Sequence, residues 1–174
     1  EASGARIVFS CGFDSIPFVL GVFFLQEHIK QHTGHTFSSV KCRVRAMNGK
    51  FSGGTAASLK ATLVAAANDP KIMEYLVNPF ALANGFTGPE QPAGNQPYFD
   101  EALNSWSAPF IMATINTKNI HRSNALLDHL YGKDFVYDEM ILTGPGEQGE
   151  KMANFVANDK SLAGKDAPKP GEGP

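Results

Sequence analysis

The order of elements along this chain predicts an α+β fold, a mixed β-sheet with helices packed mainly on one face. Three observations carry that expectation. Short apolar runs near Arg6, Thr36 and Phe135 read as strands, and helical stretches alternate with them. A length of 174 residues, 43% hydrophobic and 18% charged, suffices for one globular domain with a real core.

Arg6–Ser10 is apolar, with β-branched and aromatic members, and reads as the first strand. A turn over Cys11–Asp14 follows. Ser15 is placed to cap a helix with Pro17 in its first turn, running to about Gln31 before Gly34 ends it. Phe18–Leu25 is apolar nearly all round, so burial on most sides is expected. Thr36–Met47 alternates as a strand, with Lys41, Arg43 and Arg45 on a face for solvent or an anionic ligand. Asn48–Gly54 is a Gly-rich loop, Thr55–Asn68 an alanine-rich helix and Pro70–Val77 a shorter one.

Pro, Gly and Asn collect between Asn78 and Asn104, which predicts a long irregular loop. Ser107–Tyr131 reads as one long helix, with Pro109 in its first turn and Gly132 at its end. Phe135–Leu142 alternates as a strand and Glu150–Asn158 reads as helical. Residues 1–160 are thus expected to form one domain, and 161–174 a flexible Pro/Gly-rich tail.

Composition excludes several function classes. A formal net charge of −2, with no basic run, gives no footprint for nucleic acid. The longest apolar stretch, Ile16–Leu25, is about half of the ~20 residues that a membrane-spanning helix needs. Cys11 and Cys42 form no framework of disulfides, which fits two mostly buried free thiols in a reducing cytoplasm.

The Cys11–Pro17 turn carries the densest chemistry. A thiol, the Asp14 carboxylate and the Ser15 hydroxyl surround Gly12 at a helix start, where unpaired N–H groups favour an anion. Gly53 and Gly54 allow close approach of a ligand to a second helix start, with Thr55 and Ser58 one turn apart on the same face. The alternative there is a plain Thr cap. Asn116 and Arg122 suit a carboxylate or phosphate clamp, although with His121 and Asn124 they also suit a solvated helix face. Gly144, Gly146 and Gly149 spell GxGxxG, but Glu147 and Glu150 stand where a pyrophosphate would bind, so a turn and cap is the better reading. His28, His32 and His35 lack the carboxylate of an HExxH site, and no metal is expected.

CGFDSIPFVLG at the first turn, FSGGTAAS at the Gly-rich loop and APFIMATINTKNIHRSNALL near the long helix resemble the saccharopine dehydrogenase-like oxidoreductases. That family includes the mycobacterial trans-acting enoyl reductases. The resemblance spans about Arg6 to Leu142 and implies a substrate-side domain of a longer NAD(P)-dependent enzyme. In such enzymes a Rossmann domain of roughly 130 to 150 residues precedes this point and binds the cofactor. By the same resemblance, Gly12 and Phe13 border the nicotinamide end and Asp14 or Cys11 relays a proton. Ser15, Gly53, Gly54, Thr55, Ser58, Asn116 and Arg122 are implied as substrate contacts. Ser15 and Ile16 stand where saccharopine reductases have Pro and Gly, which argues against an amino-acid substrate.

The expected function is therefore orientation of a small-molecule substrate for hydride transfer at an interdomain cleft, the hydride coming from the nicotinamide. A fragment alone would be inactive. The alternative is a non-catalytic domain that binds an acyl or lipid-like ligand or builds a homodimer.

Overall fold

Helix α1 (Ile16–Thr33) begins where Gly12 O accepts the N–H groups of Ser15 and Ile16 at 3.1 and 3.0 Å. Gly34 ends it in the left-handed conformation at φ 80°, its N–H on Lys30 O. Our computed structural model of the chain describes residues 3–6, 8–48, 51–164 and 167–173. Among these, the remaining elements are β1 (Ser39–Val44), α2 (Gly53–Asn68), α3 (Pro70–Val77), β2 (Tyr98–Asp100), β3 (Ser105–Pro109), α4 (Ala113–Leu126), β4 (Val136–Gly144), α5 (Gly146–Asn158) and a 3-10 turn at Ser161–Ala163. The fold is α+β, with a four-stranded mixed sheet in the order β1-β4-β3-β2.

The chain divides into two compact units, each assembled from three separate segments. The first comprises Glu1–Cys42, Pro79–Pro92 and Ile111–Asp138. Its core joins Val22 of α1, Val40 of β1, Ile120 of α4 and the buried rings of Tyr131, Phe135 and Tyr137, with Val19, Cys42 and Leu130 packed around them. Gln26, fully buried on α1, closes a two-point bond with the backbone of Phe37, its Nε2 donating at 2.7 Å and its Oε1 accepting at 2.9 Å. A buried amide is tolerated because both ends are satisfied.

The second unit comprises Arg43–Asn78, Ala93–Phe110 and Glu139–Pro174. Here β3 pairs antiparallel with β2 and with β4, and α5 packs on β3. The β3–β4 register shifts after Trp106, which faces Gly144 while Ser107 faces Leu142. Thr143, the extra residue of that bulge, sets its hydroxyl 3.2 Å from Trp106 O and 2.9 Å from Gly149 O. Helix α2 packs on α3 and on the Ser161–Ala163 turn.

Several expectations change. Arg6 and Val8–Ser10 form no strand (Ile7 lies outside the described residues), and Val8 and Phe9 are 74% and 83% exposed. A strand needs a neighbour for its backbone groups, and none pairs with this segment among the described residues. Nor is α1 buried on most sides: Leu20 and Phe24 are 56% and 70% exposed, because only the face carrying Val22 and Gln26 meets α4 and the core. The loop expected over Asn78–Asn104 contains β2. The helix expected from Ser107 starts instead at Ala113, after β3. Pro109 disfavours the helical conformation at Ala108, and the ladder to β4 takes that residue. Cys11 is exposed rather than buried, and Cys42 is half-buried.

Candidate functional site

The turn before α1 is held from outside by α4. Asn116, fully buried, donates its Nδ2–H to the Asp14 carbonyl at 2.9 Å, fixing the turn from a point a hundred and two residues away. The Asp14 carboxylate folds back over Gly12, where a Cβ would lie 2.5 Å from Oδ1. Cys11 is exposed, with its thiol 3.5 Å from Phe9 O, and the Phe13 ring is 75% exposed. Ser15 is buried, and its side chain makes no cap hydrogen bond, contrary to expectation. Its backbone, at φ −127° and ψ −43°, lacks the extended geometry from which a cap hydroxyl reaches the next N–H groups. The turn thus presents one thiol, one carboxylate and one aromatic ring from a rigid base.

Helix α4 is not a solvated face. Asn116, His121 and Asn124 are all buried. Asn124 ties the chain beyond the helix, donating to Gly132 O at 2.8 Å and accepting from Tyr131 N at 2.9 Å. His121 lies between Phe80 and Phe135, with ring centroids at 4.4 and 6.0 Å. Burial away from water lowers its pKa to about 4, so the ring is neutral near pH 7. Burial, with the Glu27 carboxylate adding to it, pushes the Tyr131 phenol up to about 12.

Arg122 is exposed, and its Nη1 donates to Leu82 O at 3.2 Å. Six residues separate it from Asn116, which on a helix is about 9 Å and roughly a third of a turn. The fold brings Asn116 to the Asp14 turn and directs Arg122 to the 79–86 segment.

Gly53, Gly54, Thr55 and Ser58 lie in the second unit. Ser52, not Thr55, caps α2, its Oγ accepting the Thr55 N–H at 3.3 Å, with the Thr55 hydroxyl 3.2 Å away. Gly53 is buried, and its N–H donates to Glu172 O at 2.7 Å. Ser58 is exposed.

Sequence reasoning missed one polar cluster. Arg43, expected on an open face, has a buried side chain that is ion-paired with Asp100 at 3.6 Å, each side chain 6% exposed. Arg43 also hydrogen-bonds the Tyr98 hydroxyl and lies 5.9 Å from the centre of that ring. Nothing local to β1 signals partners that arrive more than fifty residues later.

The strand-turn-helix setting of Gly144, Gly146 and Gly149 is present, but it does not fit a dinucleotide. Gly149 is packed so that a Cβ would lie 2.0 Å from Gly144 O, and Glu147 pairs with Lys151 at 2.6 Å in the first turn of α5. A pyrophosphate there would meet a carboxylate. By contrast, Gly12 is covered only by the Asp14 carboxylate, and the Phe13 ring beside it is open. The His28 and His32 rings lie 4.2 Å apart, tilted at 39°, and His32 Nδ1 lies 2.7 Å from His28 O. Among the described residues no group of three or more His, Cys, Asp or Glu is arranged to hold a metal. No described helix is long and apolar enough to cross a membrane.

No family model matches the sequence, and no solved structure matches it. Similarity appears among curated proteins. A provisionally named trans-acting enoyl reductase of Mycobacterium tuberculosis is 36% identical over 99% of this chain and 47% of its own length. Proteins named trans-acting enoyl reductase from Mycobacterium leprae and Mycobacterium bovis are 30% and 29% identical, over 82% and 99% of this chain and 36% and 47% of their own lengths. The chain is therefore similar to trans-acting enoyl reductases over nearly its whole length, and it spans about half the length of the relatives it matches.

Proposed function

We propose that this chain is the substrate-side part of an NAD(P)-dependent oxidoreductase of the saccharopine dehydrogenase-like kind, which orients an enoyl substrate for reduction. The names of its relatives support an oxidoreductase role, and the observation that carries the reading here is the Cys11–Ser15 turn locked onto Asn116. Reduction of a conjugated double bond adds hydride at one carbon and a proton at its neighbour. A bound nicotinamide supplies the hydride. In this chain Gly12 and Phe13 border the nicotinamide ring, while Asp14, or Cys11, hands over the proton. Asn116 keeps that donor in place. Within the second unit, taken by itself, Gly53, Gly54, Thr55 and Ser58 are substrate contacts at the start of α2. Arg122 binds an acidic group of the substrate, and buried Ser15 is reached only if the turn shifts.

Two titrations of the purified chain test this reading. Crotonyl-coenzyme A should shift the amide resonances of Gly12, Asp14 and Asn116, and Asp14→Asn should weaken the response; shifts confined elsewhere would count against the site. NADPH alone should bind weakly, since no pyrophosphate cradle fits among the described residues. Tight NADPH binding by the chain would overturn the assignment to the substrate side. The exposed row of Leu20 and Phe24 on α1 favours a second reading, an apolar docking face for an acyl ligand or a second copy. Concentration-dependent dimerisation without any response to the thioester would favour that one.

A further inference from the structure

The segment Lys169–Glu172 is a closed turn. Glu172 N donates to Lys169 O at 2.9 Å, Lys169 N donates to the Glu172 carboxylate at 2.8 Å, and Gly171 takes φ 91°, with Pro170 before it. That is the residue pattern of a type II turn. The turn seats on α2. Glu172 O accepts the Gly53 N–H, and Lys169 O approaches Gly53 so closely that a Cβ there would lie 1.6 Å from it. No residue but glycine fits this seat.

We propose that the Lys169–Glu172 turn is a latch that closes over the start of α2 with Gly53 as its seat. Its carbonyl occupies the donor that an acceptor-bearing substrate group would need. The proposal rests on the reading of Gly53–Ser58 as substrate contacts and assigns that site a means of regulation: open latch, available amide; closed latch, occupied amide. Segments held by few bonds open and close well below global unfolding, so the device needs no larger rearrangement.

Two variants test it. Gly53→Ala cannot accept the latch, yet α2 keeps its Ser52 cap and gains a better helix former, so it should fold. A chain ended after Gly164 removes the latch and keeps Gly53. In both, hydrogen exchange at the residue 53 amide should quicken by roughly tenfold or more relative to the parent chain, as for loss of a protecting contact. Inorganic phosphate should then shift the Gly53 and Gly54 resonances in the shortened chain and leave them unmoved in the parent. Unchanged exchange in both variants would overturn the latch and leave the substrate-contact reading standing. Faster exchange with no response to phosphate would overturn that reading, and the gating role with it.

Discussion

His121 prefers to be neutral in the folded chain because Phe80 and Phe135 replace its water. Its pKa falls from 6.5 to about 4, so the unfolded chain takes up the proton first. Stability from this residue is therefore complete above about pH 6.5 and drains away as pH falls towards 4, by an amount of order 2 kcal/mol. Urea midpoints at pH 7 and pH 4.5 should differ less for His121→Leu than for the parent chain. Equal differences would refute the assignment. Asn116 shows what one residue in a sequence can and cannot reveal. Its amide reads in the sequence as half of a clamp for a carboxylate or phosphate, whereas its Nδ2–H holds the carbonyl of Asp14, far away in sequence, and no local pattern announces that pairing.

At the scale of elements, local signals located α1, α2 and α3, which are closed by Gly34, Ser52 and Asp69, and alternation located β4. Local rules failed where pairing decides. Ser105–Pro109 carries a proline in a helix-initiating position, yet it becomes β3 because β2 and β4 offer it two ladders. Arg6 and Val8–Ser10 have strand composition and no ladder, so they form no strand. Helix α5 meets the turn before it closely at Gly149, where a methyl group would collide with Gly144 O. Gly149→Ala should therefore cost about 2 kcal/mol or more in chemical denaturation, despite the higher helix propensity of alanine. A neutral result would mean that this turn is looser than described. Between β1 and β2, Asp100→Ala removes the carboxylate beside the buried Arg43 guanidinium and should cost about 3 kcal/mol. The double substitution Arg43→Met with Asp100→Leu should recover much of that loss, because it removes both charges. If the single change proves as mild as the double, the pair is better hydrated than its exposure implies.

The whole molecule is two units woven from one chain, since each draws on three separated segments. A reading by stretches of sequence therefore had no means to find them. The core of the first unit needs Val22 from its first segment and Ile120, Tyr131 and Phe135 from its third, so nothing short of Asp138 completes it. The seat of the latch adds a matter of timing. Helix α2 caps itself early through Ser52, but the acceptor of its first amide comes from Glu172, beyond β4 and α5 in the order of synthesis. During synthesis a formed α2 would stand with an idle first amide until the 169–172 stretch follows. Pulse labelling during refolding should find the Gly53 amide protected after the α2 interior, with the lag set by the arrival of the 169–172 turn; simultaneous protection would show that the two close as one step.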